Sequence, residues 1–211
     1  DMENEDEAKE WLEDATEVMY AAFNKSNFQQ EIFELYHDLI TFGTAAMFIE
    51  EDDEDILKFS TRHINEIFIA ENDKGRIDTV FRKFNLSARA VIQKFGDVSM
   101  NIMTKANKDP YEEVSILHAV YPRSDFDPKK QDKQNMPFES LYLDAESGDE
   151  LSVSGFREFP FVVPRYLKAS HEIYGRSPAM TALPDVKMLN EMSKTTIKSA
   201  QKQVDPPLLV P

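Results

Sequence analysis

The spacing of apolar residues predicts two helices at the start of the chain. Apolar side chains recur at three- and four-residue steps between Trp11 and Phe23, and again between Phe28 and Phe42. The residues expected on the buried side of the second helix are Ile32, Leu35, Tyr36 and Leu39. The acidic stretch Asp1 to Asp14 forms either a solvated tail or the first turns of the first helix. Two consecutive helices therefore precede all other elements.

Short apolar or alternating runs, separated by turn residues, predict strands along the middle of the chain. Their ranges are 45–50, 56–60, 66–70, 77–84, 113–121, 138–144 and 151–156, with 158–166 as an edge or terminal strand because prolines bracket it. Two short helices lie between them, one capped by Ser87 and ended by Gly96, the other over 97–107. Residues 123–137 offer little to bury and predict an exposed loop. The fold class is α+β, with short mixed or antiparallel strands.

The last long element is a helix whose beginning and end are both marked by proline. Ser177 can cap free amides and Pro178 suits the first helical position, where a missing amide costs no hydrogen bond. Pro184 lacks the amide that would bond to Met180, so the helix either kinks or restarts there. From Pro184 to Val204 it would be roughly 30 Å long. The segment 205–207, Asp-Pro-Pro, stops it.

This terminal helix is too polar to lie in a domain core. Met188 and Met192 fall off the main apolar stripe, and threonines and a serine fill much of the remaining surface. Such a composition indicates a helix packed sideways between neighbours, with one solvated face. The candidate residues for contacts between subunits are Val186, Leu189, Met192, Ile197 and Val204.

Four lysines follow one side of the same helix. They are separated by seven, four and four residues, a spacing that places their ammonium groups in a row, and they are Lys187, Lys194, Lys198 and Lys202. In isolation a row of this kind is most simply an ordinary solvated face. The alternative is that the row faces a polyanion, and on that hypothesis these lysines are candidates for contact with DNA.

Charge is distributed unevenly along the chain. The net charge is −15, which argues against a conventional nucleic-acid binder, because affinity for DNA rests on basic residues that neutralise phosphates. Residues 165–211 nevertheless hold seven Lys or Arg against four acids, a balance of +3 that leaves −18 for the rest. An acidic body with a mildly basic helix suits a channel through which DNA slides, since strong phosphate contacts would slow it.

The sequence lacks the common motifs of catalytic and cofactor-binding sites. There is no phosphate-binding loop, no dinucleotide fingerprint and no GxSxG elbow, and no cysteine is present as nucleophile or disulfide partner. The four histidines are too far apart for a zinc pair; His118 is expected in a core or interface and His37 on a helix surface. We predict no catalytic residue, no metal site and no cofactor. The longest weakly polar run, 39–49, is too short to cross a membrane.

The run of six carboxylates from Glu50 to Asp55 leaves one enzymatic alternative open. Acids in this number could hold a divalent ion, and the alternative function is an acidic metal-dependent hydrolase or nuclease. The run lacks the offsets and the glycine of a calcium loop, so a solvated hairpin loop is the simpler interpretation.

Several segments resemble the portal proteins, or head-to-tail connectors, of short-tailed bacteriophages. The terminal helix and its flanks carry the most specific motifs, Tyr-Gly-Arg-x-Pro-Ala-Met at 174–180, Ala-Leu-Pro-Asp-x-Lys-x-Leu-Asn at 182–190 and Asp-Pro-Pro-Leu-Leu at 205–209. Blocks that look like the same family occur in order at 43–46, 59–61, 69–71, 75–84, 93–96, 117–123 and 158–166. The resemblance covers most of residues 20–211.

The resemblance implies a function and a division of the chain. It implies a wing-like α+β domain over 1–170, a stem helix over 171–205 and the start of a clip region at 206–211, in a chain that we expect to be a fragment of a longer polypeptide. The portal would form a dodecameric ring around a channel for double-stranded DNA and would meet terminase, tail or adaptor proteins, and capsid or scaffold proteins. It would be a virion component, assembled in the host bacterial cytoplasm, without contact to membrane.

Overall fold

The computed structural model describes residues 6–130 and 132–204, and in this part of the chain helices and antiparallel sheets are both prominent. The α-helices are α1 (Asp6–Lys25), α2 (Phe28–Phe42), α3 (Ala88–Phe95), α4 (Met100–Lys108) and α5 (Pro178–Val204). The strands are β1 (Ala46–Asp52), β2 (Ile56–Arg62), β3 (Ile67–Glu71), β4 (Ile77–Ser87), β5 (Glu113–Pro122), β6 (Phe138–Asp144), β7 (Glu150–Phe156) and β8 (Phe161–Val162). The predicted α+β class is confirmed.

A three-stranded sheet with the order β2-β1-β8 contains the acidic run. The β1 and β2 strands pair in antiparallel register, which places Glu50 opposite Lys58 and Asp52 opposite Ile56. The carboxylate of Asp52 accepts hydrogen bonds from the amides of Glu54 and Asp55, so it stabilises the reversal of the chain. The predicted hairpin is confirmed.

The proline-bracketed segment is the edge strand of this sheet, as predicted, but it is shorter than its apolar pattern indicated. Phe161 and Val162 form its ladder, with Phe48 and Met47 of β1, and Arg165 adds an isolated bridge to Thr44. The amides of Ile49 and Ala45 also bond to the carbonyls of Pro160 and Pro164, just outside the strand. Two prolines so close together leave few amides for a longer ladder.

The second sheet is a five-stranded antiparallel meander, β3-β4-β5-β6-β7, with one covered face. Helices α3 and α4 cover one end of that face, where Val91 and Ile102 pack against Ile116. The three-stranded sheet covers the other end, where Phe48 packs with Val80 and Val120. We call this covered side the inner face and the opposite side the outer face.

His118 lies on the inner face and is buried, which confirms the expectation of a core histidine. Its Nε2 is 3.0 Å from the hydroxyl of Ser140, and its ring stacks on Tyr142 with 3.9 Å between centroids. Burial, with the nearby cations Lys94, Arg82 and Arg62 adding to it, lowers the pKa of His118 to about 3. The imidazole is therefore neutral near pH 7.

The apolar stripes of the first two helices are much less buried than predicted. On α2, Leu35 is buried, but Tyr36 is 55% exposed and its placement on the buried side is wrong. On α1, Trp11 is 69% exposed, and only the last turns pack, where Phe23 contacts Phe28 and Phe59. The periodicity shows which side of a helix is apolar, yet before the last turns of α1 no element of the described chain covers that side.

Candidate nucleic-acid interface on the terminal helix

Helix α5 extends away from the rest of the fold. At about 1.5 Å per residue its 27 residues span about 40 Å. Every side chain from Ala179 to Val204 is exposed, and in the body α5 contacts α2. The helix runs through Pro184 without ending, so the predicted restart is wrong, while a kink stays a prediction. The carbonyl of Met180, which loses its partner, lies on an exposed residue where water can bond to it.

The four predicted lysines share one side of α5. At about 100° of rotation per residue they fall within an arc of about 80°, and Glu191 lies in the same arc. Lys194 pairs with Glu191, with 3.2 Å between nitrogen and oxygen, and the row keeps a charge of +3 from four lysines and one glutamate. For Lys187, Lys198 and Lys202 no carboxylate lies within 4 Å in the described part of the chain.

Four of the five predicted subunit-contact residues flank this lysine row on two sides. Val186, Ile197 and Val204 fall on one side, and Met192 lies with Met188 on the other, whereas Leu189 lies opposite the row, between the two flanks. All five are between 46% and 87% exposed, so no residue in the described part of the chain covers them. The arrangement is three stripes along one rod, a cationic stripe between two apolar ones.

The start of α5 is held by hydrogen bonds that the Tyr-Gly-Arg-Ser-Pro motif supplies. Ser177 caps the helix as predicted, since its Oγ accepts from the amide of Met180 at 2.9 Å. The same hydroxyl donates to the carbonyl of Thr41 at 2.8 Å, at the end of α2. The amide of Gly175 donates to Oγ1 of Thr44 at 2.7 Å. The cap therefore also joins α5 to the body.

Two glycines allow the backbones to meet at this junction. A Cβ on Gly175 would lie 2.2 Å from the carbonyl oxygen of Gly43, and a Cβ on Gly43 would lie 2.5 Å from the Gly175 carbonyl oxygen. Gly43 also has a φ of +79°, the left-handed conformation that ends α2 and that side chains rarely adopt. Gly43 was predicted only as a helix end, and its contact with Gly175 was not foreseen.

An ionic cluster fixes the loop that leads into α5. The carboxylate of Glu71 pairs with both Lys168 and Arg165, and hydrogen bonds from Lys168 and then Arg165 lower its pKa. The hydroxyl of Tyr174 accepts from the amide of Ile69 at 3.3 Å, on edge strand β3. These partners are far apart in sequence, and no local sequence pattern predicts their contacts.

The structure gives no support to a metal-dependent enzyme. Glu50 pairs with Lys58 at 3.7 Å and Asp52 holds the hairpin turn, so these two carboxylates have structural partners. Within residues 6–130 and 132–204, no group of three or more potential ligands is arranged to hold a metal ion. The same residues include no helix with the length and apolar character needed to cross a membrane.

Comparison with known proteins identifies the class. The sequence model of the bacteriophage head to tail connecting proteins matches residues 1–211. The chain therefore belongs to this family, whose members are structural proteins.

Two relatives carry more specific descriptions. The portal protein of Salmonella phage epsilon15 is 34% identical over 217 residues, covering 100% of this chain and 39% of the relative. A probable portal protein of Bordetella phage BPP-1 is 32% identical over 208 residues, covering 96% of this chain and 38% of the relative. The chain thus spans about two-fifths of the length of these relatives.

Proposed function

We propose that this chain is the wing and stem portion of a portal subunit, which forms a ring at the head-tail vertex and surrounds the channel for DNA packaging and ejection. The wing would comprise residues 1–170 and the stem 171–205. Residues 206–211, which lie outside the described part, would begin the clip. Family membership and the two portal relatives support this assignment.

The observation that carries the proposal is the exposure of α5 on all sides. A 27-residue helix with apolar side chains on two flanks and no buried residue is incomplete in a single chain. Copies placed side by side around an axis would cover both flanks, because each helix would present one flank to each neighbour. The lysine row between the flanks would then face the channel.

The charge pattern supports a channel along which DNA moves freely. Three lysines of the row are without a carboxylate partner among the described residues, while the whole chain carries −15. A lysine row with a charge of +3 on each copy would keep the DNA at the centre of the channel. The acidic body would limit tight contacts with phosphates elsewhere. Binding would be independent of base sequence, since the row presents ammonium groups on an exposed helix and nothing shaped to read base edges.

The remaining partners follow from the proposed place of the ring. A portal at the vertex would be a dodecamer, would receive DNA from a terminase that supplies ATP hydrolysis, and would contact tail or adaptor proteins and capsid or scaffold proteins. It would be assembled in the cytoplasm of the bacterial host and would become part of the virion.

Electron microscopy of the full-length protein tests the ring. We expect annular particles with a central hole, and the double variant Val186→Glu, Ile197→Glu should abolish them, because carboxylates would be buried between helices. Thr196→Glu, Ala200→Glu adds the same charge on the exposed side of α5 opposite the lysine row, outside both flanks, and serves as control. A full-length protein that stays monomeric at high concentration would refute the proposal.

Reversal of the lysine row tests the channel. With Lys187, Lys194, Lys198 and Lys202 all changed to Glu, rings should still assemble, but packaging should slow by about tenfold or more, because each reversed charge adds roughly 1 kcal/mol of repulsion near a phosphate. The matched control reverses four exposed body lysines, Lys74, Lys108, Lys129 and Lys130, with the same change in net charge. If the α5 variant packages and ejects DNA as the wild type does, the lysine row is an ordinary solvated face and the prediction is wrong.

A further inference from the structure

An apolar band crosses the outer face of the five-stranded sheet, and its most exposed part lies on β3 and β4. Cross-strand neighbours align one residue from each strand in a single row, which we call the sheet band: Phe68, Phe81, Ala119, Leu141 and Val153. Phe68 is 57% exposed and Phe81 37% exposed, Leu141 and Val153 are half-buried, and the small Ala119 between them is buried. A second row continues the apolar surface with Leu117 and Leu143, which adjoin Lys83. A contiguous apolar surface on an open sheet face marks an interaction site more often than a solvated surface.

Helix α1 presents the complementary unpartnered surface. Its apolar stripe, which we call the α1 stripe, consists of Trp11, Leu12, Ala15, Val18 and Met19. Trp11 and Val18 are 69% and 70% exposed, and no residue of α1 is buried. Most of the stability of a helix in a protein comes from packing of its apolar side. Helix α1 packs only through its last turns among the described residues, so it would gain stability from a surface that covers the α1 stripe.

Charge favours the sheet band as the surface that covers the α1 stripe, and other exposed apolar surfaces suit it less well. Helix α1 contains six acids against two lysines, a balance of −4, and within the described residues Lys83 beside the band has no carboxylate within 4 Å. The other exposed apolar face, around Phe33 and Ile40 of α2, lies beside Glu34 and Asp38 and would repel an acidic helix. The flanks of α5 are assigned to neighbouring copies of α5 in the proposed ring.

We propose that the α1 stripe of one copy packs across the sheet band of the adjacent copy. A ring uses heterologous contacts, in which two different surfaces of one chain meet, and among the described residues the α1 stripe and the sheet band are two such surfaces. Helix α1 is about 30 Å long at about 1.5 Å per residue, and five strands span about 19 Å at about 4.8 Å apart, so the helix crosses every strand. Helix on sheet is a standard layer pairing. The inference rests on the proposed ring.

Site-specific photo-cross-linking in the full-length protein tests this contact. With Val18 replaced by p-benzoylphenylalanine, mass spectrometry should find intermolecular cross-links to β4 and β6, around Phe81 and Leu141. The same photo-reactive residue at Glu13, on the opposite side of α1, should give no cross-link to those strands. Cross-links within one chain, to α2 or α5 of a neighbour, or to segments outside residues 6–204, would overturn the inference, as would the absence of any intermolecular cross-link.

A charge variant gives a second, independent readout. Leu141→Asp should reduce the cross-linked fraction at least about tenfold, since burying an unpaired carboxylate exceeds the ~1.4 kcal/mol that corresponds to tenfold. Asn85→Asp, exposed on the same outer face but outside the band, loses a hydrogen bond to the exposed carboxylate of Glu113 and should still change the cross-linked fraction by less than about twofold. Rings that form with α1 cross-linked elsewhere refute this contact alone, whereas the absence of rings refutes the proposed function as well.

Discussion

The body and α5 use similar apolar residues in opposite ways. In the body, Ile116 is fully buried and Val80 is 1% exposed, each held by neighbours from the same chain. On α5, Ile197 is 59% exposed and Val186 46% exposed, and nothing within residues 6–130 and 132–204 covers them. The body therefore contains its own source of stability, while α5 depends on contacts that a single chain does not supply. A substitution should affect folding in the first region and assembly in the second.

The largest expected effect comes from removing a buried aromatic ring of the body. Phe48 packs on Phe161 with 4.8 Å between centroids, and Phe48→Ala should lower the free energy of unfolding by about 3–5 kcal/mol. Leu189→Ala on α5, where the side chain is 59% exposed, should change it by no more than about 0.5 kcal/mol in the monomer. Urea denaturation monitored by circular dichroism measures both. Equal losses for the two variants would contradict the contrast between the regions.

The next effect concerns the junction where the two regions meet. Gly43→Ala should cost about 2–5 kcal/mol, from about 1–2 for a left-handed side chain and about 1–3 for the clash with the backbone at Gly175 and Arg176. Gly148 has nearly the same φ, +78°, but open space around it, so Gly148→Ala should cost only about 1–2 kcal/mol. Thermal unfolding of the two variants makes the comparison. A Gly43 variant no less stable than the Gly148 variant would show that the junction can relax.

The sequence was sufficient for those parts of the fold that depend on local chemistry. The caps at Ser87 and Ser177, the end of α2 at Gly43 and the hairpin at Asp52 all use contacts within a few residues, and each was predictable. Helix α5 itself and its lysine row follow from proline placement and spacing.

Long-range contacts and coverage were not predictable in the same way. The approach of Gly43 to Gly175 and the pairing of Glu71 with Arg165 join segments that are distant in sequence, and no local pattern encodes them. The exposure of Tyr36 has the same origin, because periodicity identifies an apolar side but does not reveal what lies against it. Whether the lysine row meets DNA is a property of the assembled ring, and so it stays a prediction.

The smallest of the three effects is a pH dependence of the free energy of unfolding, which arises from a residue of the body. The pKa of His118 is lowered to about 3 in the folded protein, against an ordinary value of about 6.5, so protons bind more readily to the unfolded chain. Stability from this residue is therefore complete above about pH 6.5 and declines as the pH falls towards 3. Between pH 6.5 and 4.5 the loss should approach about 2–3 kcal/mol, at about 1.4 kcal/mol per pH unit.

Urea denaturation across this pH range measures that slope. His118→Gln cannot take up the proton, and its amide can still bond to the hydroxyl of Ser140, so the variant should lose most of the decline between pH 6.5 and 4.5. Leu189→Ala on α5 should keep the slope of the unmodified protein, because it removes no buried titratable group. A His118→Gln variant with an unchanged slope would mean that other groups govern acid unfolding. The buried histidine would then not be a source of pH dependence that distinguishes the body from α5.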